Sequence, residues 1–207
     1  GLTPVVVDVE GYALENSLGL IMDSLPSGGE SSGLNLSKGR EGLTALMDIG
    51  ASVSNLYILQ GNQTVFSREQ GFGCDQLTLR VAEAYGLSRE QAERAKRSGQ
   101  VAEDFAETIL EPFKQMLAEQ IGHTLQFFFS ADLYVSGRYT VNNIVLIGGG
   151  AMIMGLDRVV ADVLGITTMV ANPFRNMGSA SRVNSSALLR DAPLLAVASG
   201  LALRSLD

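Results

Sequence analysis

One cysteine, one histidine and no tryptophan occur among 207 residues. The lone thiol, Cys74, excludes an internal disulfide and fits a reducing compartment. The lone imidazole, His123, sits mid-helix without partner ligands, which argues against a zinc centre or a histidine-based catalytic pair. No run of about 18 apolar residues is present, so no transmembrane helix is expected. No charged-then-apolar leader opens the chain. Basic charge is also short: 15 Lys and Arg against 22 Asp and Glu leave a net charge of -7. No basic stripe of the kind that tracks nucleic-acid phosphates is visible, so a nucleic-acid partner is not expected. These absences predict a soluble, cytoplasmic protein with no direct membrane insertion, any membrane role being borrowed from a partner. What is plentiful is apolar: 46% hydrophobic against 18% charged residues is the balance of a folded chain. The length allows one domain or two small lobes with a real core.

Residues 4–9 read as a short β-branched strand, and from Glu10 the apolar spacing (Tyr12, Leu14, Leu18, Ile21) turns helical. Residues 26–40 are rich in Ser and Gly and read as a surface loop. Three strands follow at 43–49, 54–60 and 63–68, the last two joined by a Gly61-Asn62 hairpin turn. A helix is expected over 74–85 with Gly86 as its C-cap. A second opens at Ser88, where Gln91 completes a capping box, and stops near Gly99. Residues 102–130 carry an amphipathic stripe that reads as core, and Pro112 either kinks this helix or joins two. A strand over 142–147 leads into Gly148-Gly149-Gly150, followed by a helix from about Met154 to Leu164 and a strand over 167–170. Residues 176–190 read mostly as loop. Asp191 and Pro193 look like an N-cap and an early helical proline for a last, all-round apolar helix reaching about Ser205.

Three groups of residues suit a nucleotide. Asp48 ends a strand and is followed by Gly50, Ser52 and Ser54; a carboxylate beside exposed N–H groups and hydroxyls can hold a Mg-bound phosphate. A hairpin turn selects the same residue types. Glu93 and Lys96, three apart, share a helix face where a carboxylate can meet ribose hydroxyls and a lysine stem can cover a base, although surface pairs share this spacing. Gly148, Gly149 and Gly150 follow a strand and let backbone approach a ligand closely, or simply make a turn. Neither the G-x-G-x-x-G nor the G-x-x-x-x-G-K-[ST] loop is present, so the Rossmann and P-loop readings fail. Arg175, Arg182 and Arg190 sit in the loop-rich region near 172–191, as a partner face or as solvated charges.

The set DIGASVS, QAERAK and IVLIGGGAMIMGLD resembles the phosphate, ribose-side and adenosine motifs of the actin/Hsp70/FtsA ATPase superfamily. REQGFGCDQLT, EPFKQMLAEQIGHTLQFFF, LGITTMVANPF and DAPLLAVASGLALRSLD are similar, more closely, to the PilM family of actin-like type IV pilus assembly proteins. The resemblance covers nearly the whole chain outside 27–42. It implies an α/β fold: an actin-like ATPase (ribonuclease H-like) lobe whose mixed sheet has three antiparallel strands extended by parallel ones. Flanking helices cover this sheet, with residues 1–73 and 133–207 as the lobe core and 74–132 as an inserted subdomain. It further implies ATP and Mg as cofactors. Asp48 would orient Mg-bound water, and Gly50, Ser52 and Ser54 would embrace the phosphates. Glu93 and Lys96 would meet ribose and base, and Gly148, Gly149, Gly150 and Met152 would line the adenosine. VDVEGYALENSLGL matches the helix connecting actin lobes and places Glu10 where relatives keep a water-orienting Gln or Glu.

The phosphate turn has Ala51-Ser52-Val53-Ser54 where relatives carry a glycine and threonines; this is compatible with binding and weighs against efficient hydrolysis. The opposite-lobe D-x-G-x-x-x-x-K hairpin is not found, so the chain is expected to supply the second lobe and its return helix. In the family that helix packs on the first lobe, and exposed it predicts self-association. The function implied is a cytoplasmic ATP-binding scaffold of the pilus inner-membrane assembly complex. The cytoplasmic tail of PilN, bound mainly outside this lobe, would recruit it to the inner membrane among other pilus assembly proteins. An FtsA-like cell-division protein or an active ATPase of the same superfamily is the alternative.

Overall fold

Alternating apolar residues in the strands build a sheet that is buried on both faces. The computed structural model describes residues 7–23, 41–98, 102–130 and 139–204. Helix α1 (Glu10–Asp23) precedes an antiparallel meander of β1 (Glu41–Ile49), β2 (Ser54–Gln60) and β3 (Gln63–Gln70). Helices α2 (Asp75–Tyr85), α3 (Arg89–Ser98) and α4 (Glu111–Ser130) come next, then β4 (Tyr139–Ile147), α5 (Leu156–Leu164) and β5 (Thr167–Val170). The described chain closes with α6 (Ser185–Asp191) and α7 (Ala196–Ala202). The five strands run in the order β3-β2-β1-β4-β5. β1 pairs antiparallel with β2 and parallel with β4, and β5 extends the parallel half. This is the mixed sheet expected, three antiparallel strands and two added in parallel.

The two-residue period of β1 decides what lies on each face. Leu43, Ala45, Met47 and Ile49 face one way, into a core completed by Ile144 and Leu146 of β4 and by Phe113, Leu117, Ile121, Leu125 and Phe128 of α4. Leu46 faces the other way, with Leu59, Val145 and Ile147, under Leu14, Leu18 and Ile21 of α1 and Ala196 of α7. Central strands covered on both sides read as continuous apolar runs, as VLI of β4 does. At a fully buried Leu or Ile each side chain contributes roughly 1.5–3 kcal/mol, so this double layer dominates stability.

Several local expectations are met by their expected devices. Gly86 adopts φ 60, the left-handed cap that ends α2. Ser88 and Gln91 bond reciprocally, Ser88 N–H to Gln91 Oε1 at 2.9 Å and Gln91 N–H to Ser88 Oγ at 3.2 Å. Gly61 turns the β2–β3 hairpin at φ 60.

Other expectations are corrected. Residues 7–9 form no strand; the rest of that segment and the 26–40 loop lie outside the described residues, and the last helix ends at Ala202, short of the expected Ser205. The 102–130 stripe is two pieces, a π-helical turn over Ala106–Leu110 and then α4, with Pro112 the second residue of α4. The pieces run on without a break, Glu111 N–H reaching the Ala106 carbonyl, and Pro112, with no N–H to give, marks the join where the π turn becomes α-helix. The helix after the glycine triplet starts at Leu156, because Gly155 takes a left-handed φ of 78. Residues 176–190 are not all loop: Asn184 accepts from Ala187 N–H and opens α6. Asp191 stands at the N-cap position of a short 3-10 turn that carries Pro193 early and precedes α7, but its side chain caps nothing, because its carboxylate is held by Arg190 at 2.9 Å. The small residues of α7 are turned onto α1, where Gly200 meets the backbone of Ala13, while Leu201 and Leu203 stay exposed.

Candidate functional site

The parallel pairing of β1 and β4 sets Asp48 directly beside Ile147, so both strands deliver their C-terminal residues to one edge of the sheet. Ligands of open α/β sheets bind outside the carboxyl ends of strands. Asp48 faces the α1 side, and the Glu10 carboxyl at the start of α1 is hydrogen-bonded to it. Burial, and then the neighbouring Glu10 carboxyl, push Asp48 up to about 6. A poorly solvated position and a carboxyl neighbour both disfavour the ionised form of Asp48. Tyr57 lies diagonally across the β1–β2 ladder and packs on Gly11; burial, Glu10, Asp48 and Glu69 together push its phenol up to about 12.

Gly148 takes φ 81, and any Cβ there would run into Asp48 Oδ1. Its N–H donates to the Pro193 carbonyl at 3.0 Å, tying the glycine triplet to the turn before α7. A Cβ on Gly150 would strike Ile49 and come within 3.0 Å of Cys74 Sγ. Gly149 is open, with only Leu194 near its Cβ position at 3.7 Å. Thus Gly148 and Gly150 lack side chains because β1 and its turn occupy the space, and Gly149 alone leaves it free.

The turn after β1 is closed by Gly50 N–H to the Val53 carbonyl at 3.1 Å and is fastened to the start of α2. Cys74 N–H donates to Gly50 O and Asp75 N–H to Ala51 O, at 3.0 and 2.8 Å. Ser52 donates to Asp75 Oδ2 at 2.7 Å, where Arg89 also pairs, and these two partners hold Asp75 below the usual carboxylate range. Ser54 corrects the expectation for it: the residue is fully buried and its hydroxyl donates to the Phe72 carbonyl at 2.8 Å. A hydroxyl sealed under β2 holds the strand end in place and is not presented to a ligand. Ser54→Ala is expected to cost about 1–2 kcal/mol in urea unfolding, because a buried carbonyl loses its donor. Nucleotide affinity of the folded variant should be unchanged; a weakened affinity would return Ser54 to the site.

Across the edge, α3 carries Glu93 and Lys96, whose ammonium meets Glu93 Oε2 at 2.7 Å. Lys96 first, then Thr78 and Arg97, hold Glu93 down at about 2. Burial pushes the Cys74 thiol up, Lys96 partly offsetting it. Met152 lines a cleft of about 320 Å³ with Ala171, Asn172, Arg190 and Pro193. The structure therefore brings Glu10, Asp48 and Gly148 into one cluster, and packs Gly50 and Gly150 on the same scaffold around Ile49 and Cys74. Glu93 and Lys96 are tied to Thr78 of α2, and Met152 borders its own cleft. Sequence reasoning missed Tyr57, Thr78 and the cleft residue Asn172, and read Arg190 only as a partner face or a solvated charge. Tyr57 is visible only once Asp48 is paired with Asn55, two residues before it.

Among the described residues no cluster of three or more His, Cys, Asp or Glu side chains stands ready to hold a metal. No described helix is long and apolar enough to cross a membrane.

A family model described as type IV pilus assembly protein PilM matches residues 1–206. Among solved structures, the chain is similar to a chain of the PilM–PilN type IV pilus biogenesis complex, with 26% identity and a TM-score of 0.71. That match covers 100% of this chain and 55% of that one. It is similar in fold to the ethanolamine utilization protein EutJ from Carboxydothermus hydrogenoformans (18% identity, TM-score 0.58, 95% of this chain and 54% of that). A third match is MreB5 of Spiroplasma citri bound to AMPPNP, at 15% identity and a TM-score of 0.56, covering 98% and 60%. The chain thus spans little more than half the length of these structures, and its mixed sheet is that of an actin-like lobe. With its family model matched from the first residue to the last but one, the chain belongs to the PilM family of type IV pilus assembly proteins.

Proposed function

We propose that this chain is the nucleotide-holding lobe of a cytoplasmic actin-like scaffold in the type IV pilus inner-membrane assembly complex. Its ligand is Mg·ATP, taken at the C-terminal ends of β1 and β4. The observation that carries the reading is the Glu10–Asp48 pair, two carboxyls from distant segments pressed together beside the positive-φ Gly148. Such a pair is short of a cation. Mg typically enters a site with the phosphates and binds through one or two carboxylates and retained waters, which suits this donor set. Asp48 would hold the hydrated Mg and Glu10 would orient a water, while the open Gly149, the Gly50–Ser52 turn and Met152 surround the nucleotide. Glu93 and Lys96 recognise the ribose and base. When bound, Mg supplies charge neutralisation at the phosphates, which is most of what phosphoryl chemistry asks of a protein.

The partner that brings this scaffold to the inner membrane is a PilN-type cytoplasmic tail; a solved relative is a PilM–PilN complex. The exposed Leu194, Leu201 and Leu203 are an apolar surface through which copies can associate. Calorimetric titration of Mg·ATP into this chain and into the full-length protein tests the reading. Heat of binding in the full-length protein, weakened in the chain alone, is expected. No binding in either leaves a nucleotide-independent scaffold and removes the site assignment.

A further inference from the structure

Behind the α3 pair lies a buried hydroxyl that neither composition nor motif singles out. Thr78 of α2 is 1% exposed. Its Oγ1 donates to Glu93 Oε2 at 2.7 Å and accepts from Lys96 Nζ at 2.8 Å. Lys96 also reaches Glu93 Oε2 at 2.7 Å, so the three groups close a ring. A hydroxyl has one proton to give. The competing acceptor, the Cys74 carbonyl, is 3.5 Å away, so the proton goes to Glu93 and the bonding runs in one direction from ammonium to hydroxyl to carboxylate. Arg97 Nε takes the other carboxylate oxygen at 2.7 Å. Among the described residues two of the three Lys96 protons are thereby committed, and both Glu93 oxygens are oriented. Glu93 and Lys96 are themselves partly exposed, with 32% and 20% of their side chains accessible. Thr78 is sealed behind them and acts only through them.

From this geometry we infer that Thr78 is a positioning residue for nucleoside recognition, fixing Glu93 and Lys96 so that the ribose hydroxyls are read. The inference rests on the reading of the site as a nucleotide site. Without the hydroxyl, Lys96 loses its second acceptor and Glu93 keeps only that lysine and the exposed Arg97, so the carboxylate is held less firmly about its last torsion. The lone pair left for a sugar hydroxyl then loses its fixed direction.

The test is calorimetric titration of the full-length protein with Mg·ATP and with Mg·2′-deoxy-ATP. One hydrogen bond from a ribose hydroxyl to a fixed, charged acceptor is expected to make wild type prefer ATP about tenfold. Thr78→Val is expected to bring the ratio to about one, and Thr78→Ser to restore it. Loss of stability alone would weaken both nucleotides together and leave their ratio standing. Thr78→Ala serves as a second variant, and titration in the cold keeps a weakened variant folded. A folded Thr78→Val or Thr78→Ala protein that keeps the tenfold preference overturns the inference, as does a wild type that binds both nucleotides equally. A wild type that binds neither overturns the functional reading, and this inference with it.

Discussion

Gly200→Ala is expected to destabilise the fold by about 2–3 kcal/mol, although alanine is the better helix former. Glycine in a helix interior costs about 1 kcal/mol relative to alanine, so propensity alone predicts a gain. The tertiary contact reverses the sign. A Cβ at Gly200 would run into the carbonyl oxygen, carbonyl carbon and Cα of Ala13, all of them backbone atoms of α1. Backbone cannot rotate away as a side-chain tip can, so relief requires α1 and α7 to part. Parting them uncovers Leu14, Leu18 and Ala196, the lid over one whole face of the sheet. Overpacking of this kind typically costs about 1–3 kcal/mol and more against rigid neighbours, which outweighs the propensity gain. Gly200→Leu is expected to abolish cooperative folding outright, since a whole domain has only about 5–15 kcal/mol to lose. Gly19→Ala, mid-α1 with nothing within 4 Å of its Cβ position, is the control and should stabilise by about 0.5–1 kcal/mol. Urea unfolding followed by circular dichroism measures all three. Equal effects at Gly200 and Gly19 would show that the helices do not cross as closely as described.

Asp48→Asn should make the ligand-free protein more stable at neutral pH while removing its response to Mg·ATP. The Asp48 carboxyl is raised from 3.8 in the unfolded chain to about 6 by burial and by Glu10. A raised carboxyl pKa means the folded state binds more protons than the unfolded state between those two values. This group's stabilising contribution is therefore complete below about pH 4 and is lost as pH rises through about 6. A tenfold change in proton affinity between the two states is worth about 1.4 kcal/mol, but Asp48 is only half-buried, and water screens part of the penalty. About 1–2 kcal/mol is the expected cost at pH 7. An amide cannot ionise, so the unfolding free energy of Asp48→Asn should lack this fall between about pH 4 and 6. Glu10→Gln should move the curve in the same direction, and the two changes should not add, because they relieve one shared repulsion. With Mg·ATP present the order reverses: the wild type gains thermal stability by ligand linkage and Asp48→Asn does not. A ligand-free Asp48→Asn protein no more stable than wild type at neutral pH would mean that the fold does not penalise the ionised Asp48 carboxyl. A retained thermal shift would free Asp48 of any role with Mg. A residue that weakens the empty fold and is needed only when the site is filled is the usual stability–activity trade-off.

The strands, their hairpin and the caps were legible because each depends on neighbours in sequence: alternation in LTALMDI, Gly61 at a positive φ, Ser88 with Gln91 three residues on. The glycine triplet and DIGASVS were legible as chemistry and as a family resemblance, but not as a geometry. Ser54 was misread because D-x-G-x-S-x-S says nothing of which hydroxyl faces inward; pairing with β1 turns Ser54 under the Phe72 carbonyl. Thr78 was invisible because its partners lie on another helix, and threonine mid-helix is ordinarily only a weak helix former. The last helix was read as all-round apolar, when its small residues are the mark of a close helix crossing.

By itself the sequence determined most of the elements, the order of the motifs and the family, since local propensity, turn chemistry and residue spacing need no knowledge of what lies across the fold. Only the tertiary structure decided that Glu10 meets Asp48, that Gly148 and Gly150 are glycines for the sake of β1, and that Gly200 is one for the sake of α1. Each of these is a contact between segments far apart in the chain. Its energy depends on a separation of a few ångströms, set by strand register and helix crossing rather than by any residue's own preference.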